Sequence, residues 1–155
     1  MRTVLGSCVA VTLWHPARHM GGMCHFLLPE RLQQAEVPSG RYGVEAMDSL
    51  LLAVRMSGTH IADYEFKLFG GSRMFAAPGV TGRKLIGDQN VDFARRLLRN
   101  IGARLVSEHS GGNGSRALVF DVWSGDVWLR YQEGNGETEA RIRTGNRLCR
   151  KKSVS

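Results

Sequence analysis

Thr3-Val4-Leu5-Gly6-Ser7-Cys8-Val9-Ala10-Val11-Thr12-Leu13-Trp14 opens the chain with two short strand-like runs and a break between them. Thr3–Leu5 and Val9–Trp14 are rich in β-branched and apolar residues, and Gly6-Ser7 separates them. In the second run Val9, Val11 and Leu13 alternate with Ala10, Thr12 and Trp14. Apolar groups point both ways, so both faces are expected to be at least partly buried. His15-Pro16-Ala17-Arg18 then reads as a turn, and Gly21–Leu28 as a strand stopped by Pro29.

Two helices interrupt the strands. Val44, Met47, Leu50, Leu51 and Val54 recur at three- and four-residue spacing, which predicts a helix over Gly43–Met56, with Gly58 as its stop. Glu65–Phe69 reads as a strand ending in Gly70-Gly71. A second helix is predicted over Gln89–Ile101, with Asp88 as N-cap and Gly102 just past its end. Val91, Ala94, Leu97, Leu98 and Ile101 form its inner face, and Arg95, Arg96 and Arg99 read as a solvated outer face. Arg104–His109, Ala117–Val122 and Val127–Tyr131 are strand-like, with Ser124-Gly125-Asp126 as a hairpin turn between the last two. Strands, helix, strand, helix, strands is not the alternation of a doubly wound sheet. It predicts an α+β layered domain, with sheets covered by two helices.

The composition narrows the class. At 155 residues the chain has the length of one domain, and 43% hydrophobic residues can build a core, which excludes a disordered chain. No apolar run reaches the roughly 18 residues of a spanning helix, and no secretory signal pattern follows Met1. Cys8, Cys24 and Cys149 are too few, and odd in number, for a disulfide framework. A reduced, soluble, cytoplasmic domain without membrane insertion is expected. Nineteen glycines imply many tight turns, which favours strands over a helical bundle. The net charge of +7 is concentrated at the end: residues 141–155 hold six basic side chains and no acidic one. The expected layout is a single domain over 1–140 and a solvated basic tail over 141–155, not a nucleic-acid-binding surface.

Few side chains could carry chemistry. Cys8 follows Gly6-Ser7 at the strand break, where glycine permits a sharp turn that can aim the next side chain and free nearby N–H groups. With a base nearby it would be a nucleophile; otherwise it is a small buried hydrophobe. His25, in Met23-Cys24-His25-Phe26, is the best candidate base, with a backbone-bonded core histidine as the alternative. Cys24 points to the opposite face of that strand, so it belongs to the core and not to a site with His25. Cys8, His15, His19, Cys24 and His25 lie close in sequence but lack zinc-ligand spacing, and Gly111-Gly112-Asn113-Gly114 lacks the ending and setting of a phosphate loop. No metal and no cofactor is expected.

The run Thr3-Val4-Leu5-Gly6-Ser7-Cys8-Val9-Ala10-Val11, followed by Gly21-Gly22-Met23-Cys24-His25-Phe26-Leu27-Leu28-Pro29, closely resembles the bacterial chemoreceptor glutamine deamidases, the CheD family. The resemblance continues through Phe69-Gly70-Gly71-Ser72-Arg73-Met74, Ile86-Gly87-Asp88-Gln89-Asn90-Val91 and Gly111-Gly112 to Arg116, and covers about residues 3 to 130. It implies a layered α/β sandwich akin to bacterial toxin deamidases, with Cys8 as nucleophile and His25 as its base. The implied activity is that of a protein-glutamine glutaminase, with glutamyl methyl ester hydrolysis also permitted. The implied partners are the cytoplasmic helices of chemoreceptors and a phosphatase of the CheC family. The alternative is a weakly catalytic or non-catalytic binding module for those partners.

The family's third catalytic residue is a threonine on the strand before the cysteine. Ungapped alignment puts Arg2 at that position and Thr3 one residue later, so Thr3 is the candidate and a backbone carbonyl the alternative. The family usually carries a further N-terminal segment, so a shortened or differently started N-terminus is expected. Under this resemblance the Cys8 sulfur and a His25 ring nitrogen are expected within about 4 Å. Gly22, Gly70 and Gly71 are candidates for the rim that meets the receptor helix, since glycine allows another backbone to come close; simple tight turns are the alternative.

Overall fold

Seven consecutive residues, Val9–His15, are buried, and the strand they form organises the molecule. In the computed structural model, which describes residues 1–31, 37–73, 85–143 and the backbone of 148–150, this strand is β2. It follows β1 (Arg2–Leu5) and precedes β3 (Met20–Phe26), α1 (Gly43–Met56), β4 (Glu65–Gly70), α2 (Ile86–Asn100) and β5 (Arg104–Ser110). The chain continues through β6 (Ser115–Phe120), β7 (Val127–Glu133), β8 (Gly136–Ile142) and β9 (Leu148–Arg150).

Two sheets result. One has the order β3-β2-β4-β5 and the other β1-β6-β7-β8-β9. In the first, β2 is antiparallel to both β3 and β4, so β3 and β4 run the same way; β5 is parallel to β4. Helix α1 links β3 to β4 and α2 links β4 to β5. Both crossovers move in one direction across the sheet, so a common right-handedness puts both helices on the same face. The other face is left for the second sheet. The alternation in β2 matches these layers: Val9, Val11 and Leu13 pack with the helices, whereas Ala10 and Trp14 pack with the five-stranded sheet. The α+β layered sandwich expected from the element order is the observed architecture.

Several elements differ from expectation at their ends. Helix α2 starts at Ile86, three residues before the predicted Gln89, and Asp88 is not its N-cap. Backbone packing sets this start: a Cβ on Gly87 would lie 2.5 Å from Ser72 O. Asp88 instead pairs with Arg73 at 3.2 Å. The turn expected over Ser124–Asp126 is longer, spanning Asp121–Asp126, with Gly125 N donating to Asp121 O and Asp121 N to Asp126 O. Strands β8 and β9 were not foreseen. Two of the residues expected in the basic tail belong to β8: Ile142 is buried in the inter-sheet core and Arg141 pairs with Asp126 while lying over the Trp128 ring. Arg147, Lys151 and Lys152 lie outside the described residues.

Lys67 is buried at 1% exposure, facing the five-stranded sheet. Its Nζ donates to Gly125 O at 2.7 Å and Ile142 O at 3.1 Å. Burial pushes its pKa down from 10.5 to about 8, against the opposing pull of Asp126 and Glu65. Between those two values the unfolded chain holds the proton and the folded chain has lost it, so this group's contribution to stability rises with pH across that window. Cys24, pushed up to about 12, acts in the opposite sense above pH 9. The difference between wild type and Lys67→Met isolates the lysine. Urea midpoints are expected to diverge in favour of wild type from pH 8 to 10.5, and parallel midpoints would show that the lysine ionises as in water.

Candidate active site

The site is built where the chain passes from one sheet to the other. Strand β1 belongs to the five-stranded sheet and β2 to the four-stranded one, and Gly6-Ser7-Cys8 joins them. In β1 the alternation is decisive. Leu5 is fully buried and Val4 is 69% exposed, so Thr3 shares the inner face with Leu5, and Arg2 lies on the outer one. Thr3 pairs with Leu118 and Leu5 with Arg116, both inward-facing.

His25 lies on β3, opposite Ala10 in the ladder with β2. Paired residues share a face, so His25 points with Ala10 toward the five-stranded sheet. There Thr3 Oγ1 and His25 Nδ1 meet at 2.9 Å. The other ring nitrogen, Nε2, is buried and has no hydrogen-bond partner among the described residues. Cys8 stands one residue before the ladder begins and packs against the same inter-sheet cluster. Cys8 and His25 are thus on one face, diagonal across the β2–β3 pair, a separation that side chains can bridge.

Three carbonyls of the crossing are tied down. Gly6 O accepts from Ser72 N at 2.8 Å, Ser7 O from Asn90 Nδ2 at 2.9 Å and Cys8 O from Gly71 N at 2.8 Å. Gly70 and Gly71, at φ +111° and +70°, take left-handed backbone that places these donors. A Cβ on Gly70 would lie 2.1 Å from Cys8 O, and one on Gly71 2.1 Å from Val91 Cγ2. Both glycines are buried and support the turn behind Cys8. A Cβ on Gly22 would meet Leu50 Cδ1 of α1, on the face opposite His25. Cys24 also faces the helices, where its thiol donates to Met47 Sδ at 3.3 Å.

Ser72 and Arg116 support the crossing from further away, and neither carries a local sequence signal for that part. The Arg116 guanidinium is buried and donates to His109 Nδ1 at 2.9 Å, Gly111 O at 2.6 Å and Ser72 Oγ, while lying over the Tyr131 ring. Ser72 Oγ in turn donates to Gly114 O. The five side chains weighed for zinc do not converge: His19 stacks on Trp123, His15 meets the Tyr64 ring edge-on, and Cys24 faces away.

Electrostatics favour neutral groups. Burial pushes the Cys8 thiol up, partly offset by its own backbone N–H, and burial pushes the His25 imidazole down. Both shifts act against a resting thiolate–imidazolium pair.

Thr3 and His25 in contact, with Cys8 on the same face at the crossing of a two-sheet, two-helix sandwich, define a candidate thiol-dependent hydrolase. The family model described as "CheD chemotactic sensory transduction" matches residues 27–131. A relative from Dechloromonas aromatica (strain RCB), named "Probable chemoreceptor glutamine deamidase CheD 3", is 46% identical over 146 residues, covering 93% of this chain and 83% of the relative. A Pseudomonas fluorescens (strain SBW25) protein, "Probable chemoreceptor glutamine deamidase CheD", is 44% identical over 135 residues, 85% of this chain and 75% of its own. One from Chromobacterium violaceum, "Probable chemoreceptor glutamine deamidase CheD 1", is 42% identical over 149 residues, 93% of this chain and 76% of its own. The chain belongs to the CheD family. The family-model match begins past Cys8 and His25, so their roles rest on geometry and chemistry. No helix among the described residues is long and apolar enough to cross a membrane.

The neutral pair has a measurable consequence. Alkylation of Cys8 by iodoacetamide, followed at that residue by mass spectrometry, is expected to rise with pH through a midpoint above the ordinary cysteine range, about 8.5. A plateau already reached at pH 6 would show a preformed ion pair. Cys24, buried and pushed up to about 12, is expected to stay unmodified in the folded protein.

Proposed function

We propose that this chain hydrolyses glutamine side chains on chemoreceptors to glutamate and ammonia, with Cys8 as nucleophile, His25 as proton carrier and Thr3 as the residue that orients the imidazole. The contact of Thr3 Oγ1 with His25 Nδ1, on the face shared with Cys8, is the observation that carries the reading. The names of the relatives supply the substrate class.

The chemistry follows from the atoms. A carboxamide is a poor electrophile, so it needs a sulfur nucleophile and a stabilised oxyanion. Nδ1–H of His25 donates to Thr3 Oγ1, which leaves the Nε2 lone pair to take the Cys8 thiol proton as sulfur attacks the carbonyl carbon. The three tethers on the crossing all occupy carbonyls, so N–H groups of Gly6–Cys8 are the candidate donors to the oxyanion. Collapse of the tetrahedral adduct returns the proton from Nε2 to the departing ammonia and leaves a glutamyl thioester. Water then attacks, His25 takes its proton, and the thiolate leaves and is reprotonated. A glutamyl methyl ester would follow the same path with methanol as leaving group.

The alternative, a non-catalytic module binding receptors or a CheC-family phosphatase, drew on Arg2 standing at the threonine position. Arg2 is exposed on the outer face of β1, and Thr3 takes the inner one, which favours the catalytic reading. The same reading places the protein in the cytoplasm, against the cytoplasmic helices of receptors, with a CheC-type phosphatase as a second partner.

Ammonia release from a purified receptor cytoplasmic fragment tests the assignment. Cys8→Ala is expected to abolish it, and Cys24→Ala to keep most of it. Thr3→Ala is expected to lower kcat roughly 10- to 100-fold through loss of imidazole orientation. Full activity in Cys8→Ala would remove the nucleophile.

A further inference from the structure

Asn90, in the second turn of α2, is fully buried at 0% exposure. Its Nδ2 donates two hydrogen bonds of 2.9 Å, one to Ser7 O and one to Leu27 O. These acceptors belong to the two segments that carry the proposed chemistry: Ser7 precedes Cys8, and Leu27 lies two residues past His25. The β2–β3 ladder stops at Val9–Phe26. One step beyond it, where Cys8 and Leu27 would form the next pair, the Asn90 amide spans the gap.

The orientation of that amide is set by its partners. Turned over, its oxygen would face two carbonyl oxygens, so both donated hydrogens are needed where they are. As a donor it takes up carbonyls alone, so it holds the turn without occupying the turn's N–H groups. Oδ1 is buried with no partner among the described residues. Filling the space does not call for this: an apolar side chain would do so without a buried acceptor left over.

We propose that Asn90 is a positioning residue for the hydrolysis, fixing the nucleophile turn against the strand that carries the general base. This rests on the roles proposed above for Cys8 and His25. A misplacement of about 1 Å between reacting groups can cost on the order of 100-fold in rate, and Asn90 sets that spacing from outside the ladder.

The test compares Asn90→Ala and Asn90→Asp with Leu98→Ala, a buried position on the same helix that packs against the helix-side core. Ammonia release from a receptor cytoplasmic fragment gives kcat and KM per folded molecule, at a temperature where melting curves show each variant folded. The pH profile of Cys8 alkylation is the second readout. Both Asn90 variants are expected to lose roughly 10- to 100-fold in kcat, with KM within about threefold, and to shift the alkylation midpoint. Asn90→Asp is expected to fall as far as Asn90→Ala, since a carboxylate has the size of the amide but neither donor. Leu98→Ala is expected to lose stability and keep kcat. Asn90 variants within about threefold of wild type, or no worse than Leu98→Ala, overturn the proposal. If Asn90→Ala does not fold, Asn90→Ser, which keeps one donor, takes its place under the same criterion. Cys8→Ala in the same series separates the two claims. Activity retained there overturns the nucleophile and this proposal with it; an inactive Cys8→Ala beside unaffected Asn90 variants overturns this proposal alone.

Discussion

The structure depends on a three-residue passage between layers. Gly6-Ser7-Cys8 carries the chain from the edge of one sheet into the interior of the other, so its peptide groups leave one ladder before entering the next. Backbone carbonyls removed from water need donors. Three arrive from two other places: Gly71 N and Ser72 N just past β4, and Asn90 Nδ2 from α2. The left-handed glycines at the end of β4 and just past it, with the close approach of Gly87 to Ser72, are what allow these donors to reach the crossing.

A buried cation secures that support from behind. Arg116 pairs with Leu5 across the sheet, so its side chain is forced into the sandwich. A guanidinium there must be given acceptors, and it takes them from His109, Gly111 and Ser72. Accepting from Arg116 requires His109 Nδ1 to be unprotonated, which agrees with the downward push on His109 from burial and from the Arg116 charge. Ser72 then links this cluster to Gly6 O through its N–H. The loop of Gly111–Gly114, which carries no phosphate-binding signature, is thereby part of the scaffold under Cys8.

Placement between sheets also sets the electrostatics. Half-buried Cys8 and His25 are both pushed toward their neutral forms, and Thr3 supplies a neutral hydroxyl where many hydrolases use a carboxylate. Under the proposed mechanism the thiol is therefore activated by proton transfer as it attacks, not by a standing ion pair. Burial of the carboxamide against the same surface would strengthen each developing dipole in turn.

Local patterns determined much of this protein without tertiary information. The period of two in Val9–Trp14 and the three- and four-residue spacing in Gly43–Met56 report burial faces directly, and the layered class follows from their order. Cys8 and His25 were legible because a glycine break and a histidine in an apolar strand are locally unusual. Strands β8 and β9 were not, because Gly136–Ile142 is mostly polar and exposed; its one cue was the Gly134-Asn135 turn that lets Glu133 pair with Gly136. Tertiary structure alone decided which of Arg2 and Thr3 faces inward, since one residue of register exchanges the faces of a strand and only the burial of Leu5 fixes which is inside. It alone turned Gly22 toward α1 and put Gly70 and Gly71 beneath Cys8, because a glycine's role depends on what approaches it. The joining of Ser7, Leu27 and Asn90 likewise belongs to no local pattern: these residues are up to 83 positions apart, and only the packing of α2 on the sheet brings them together.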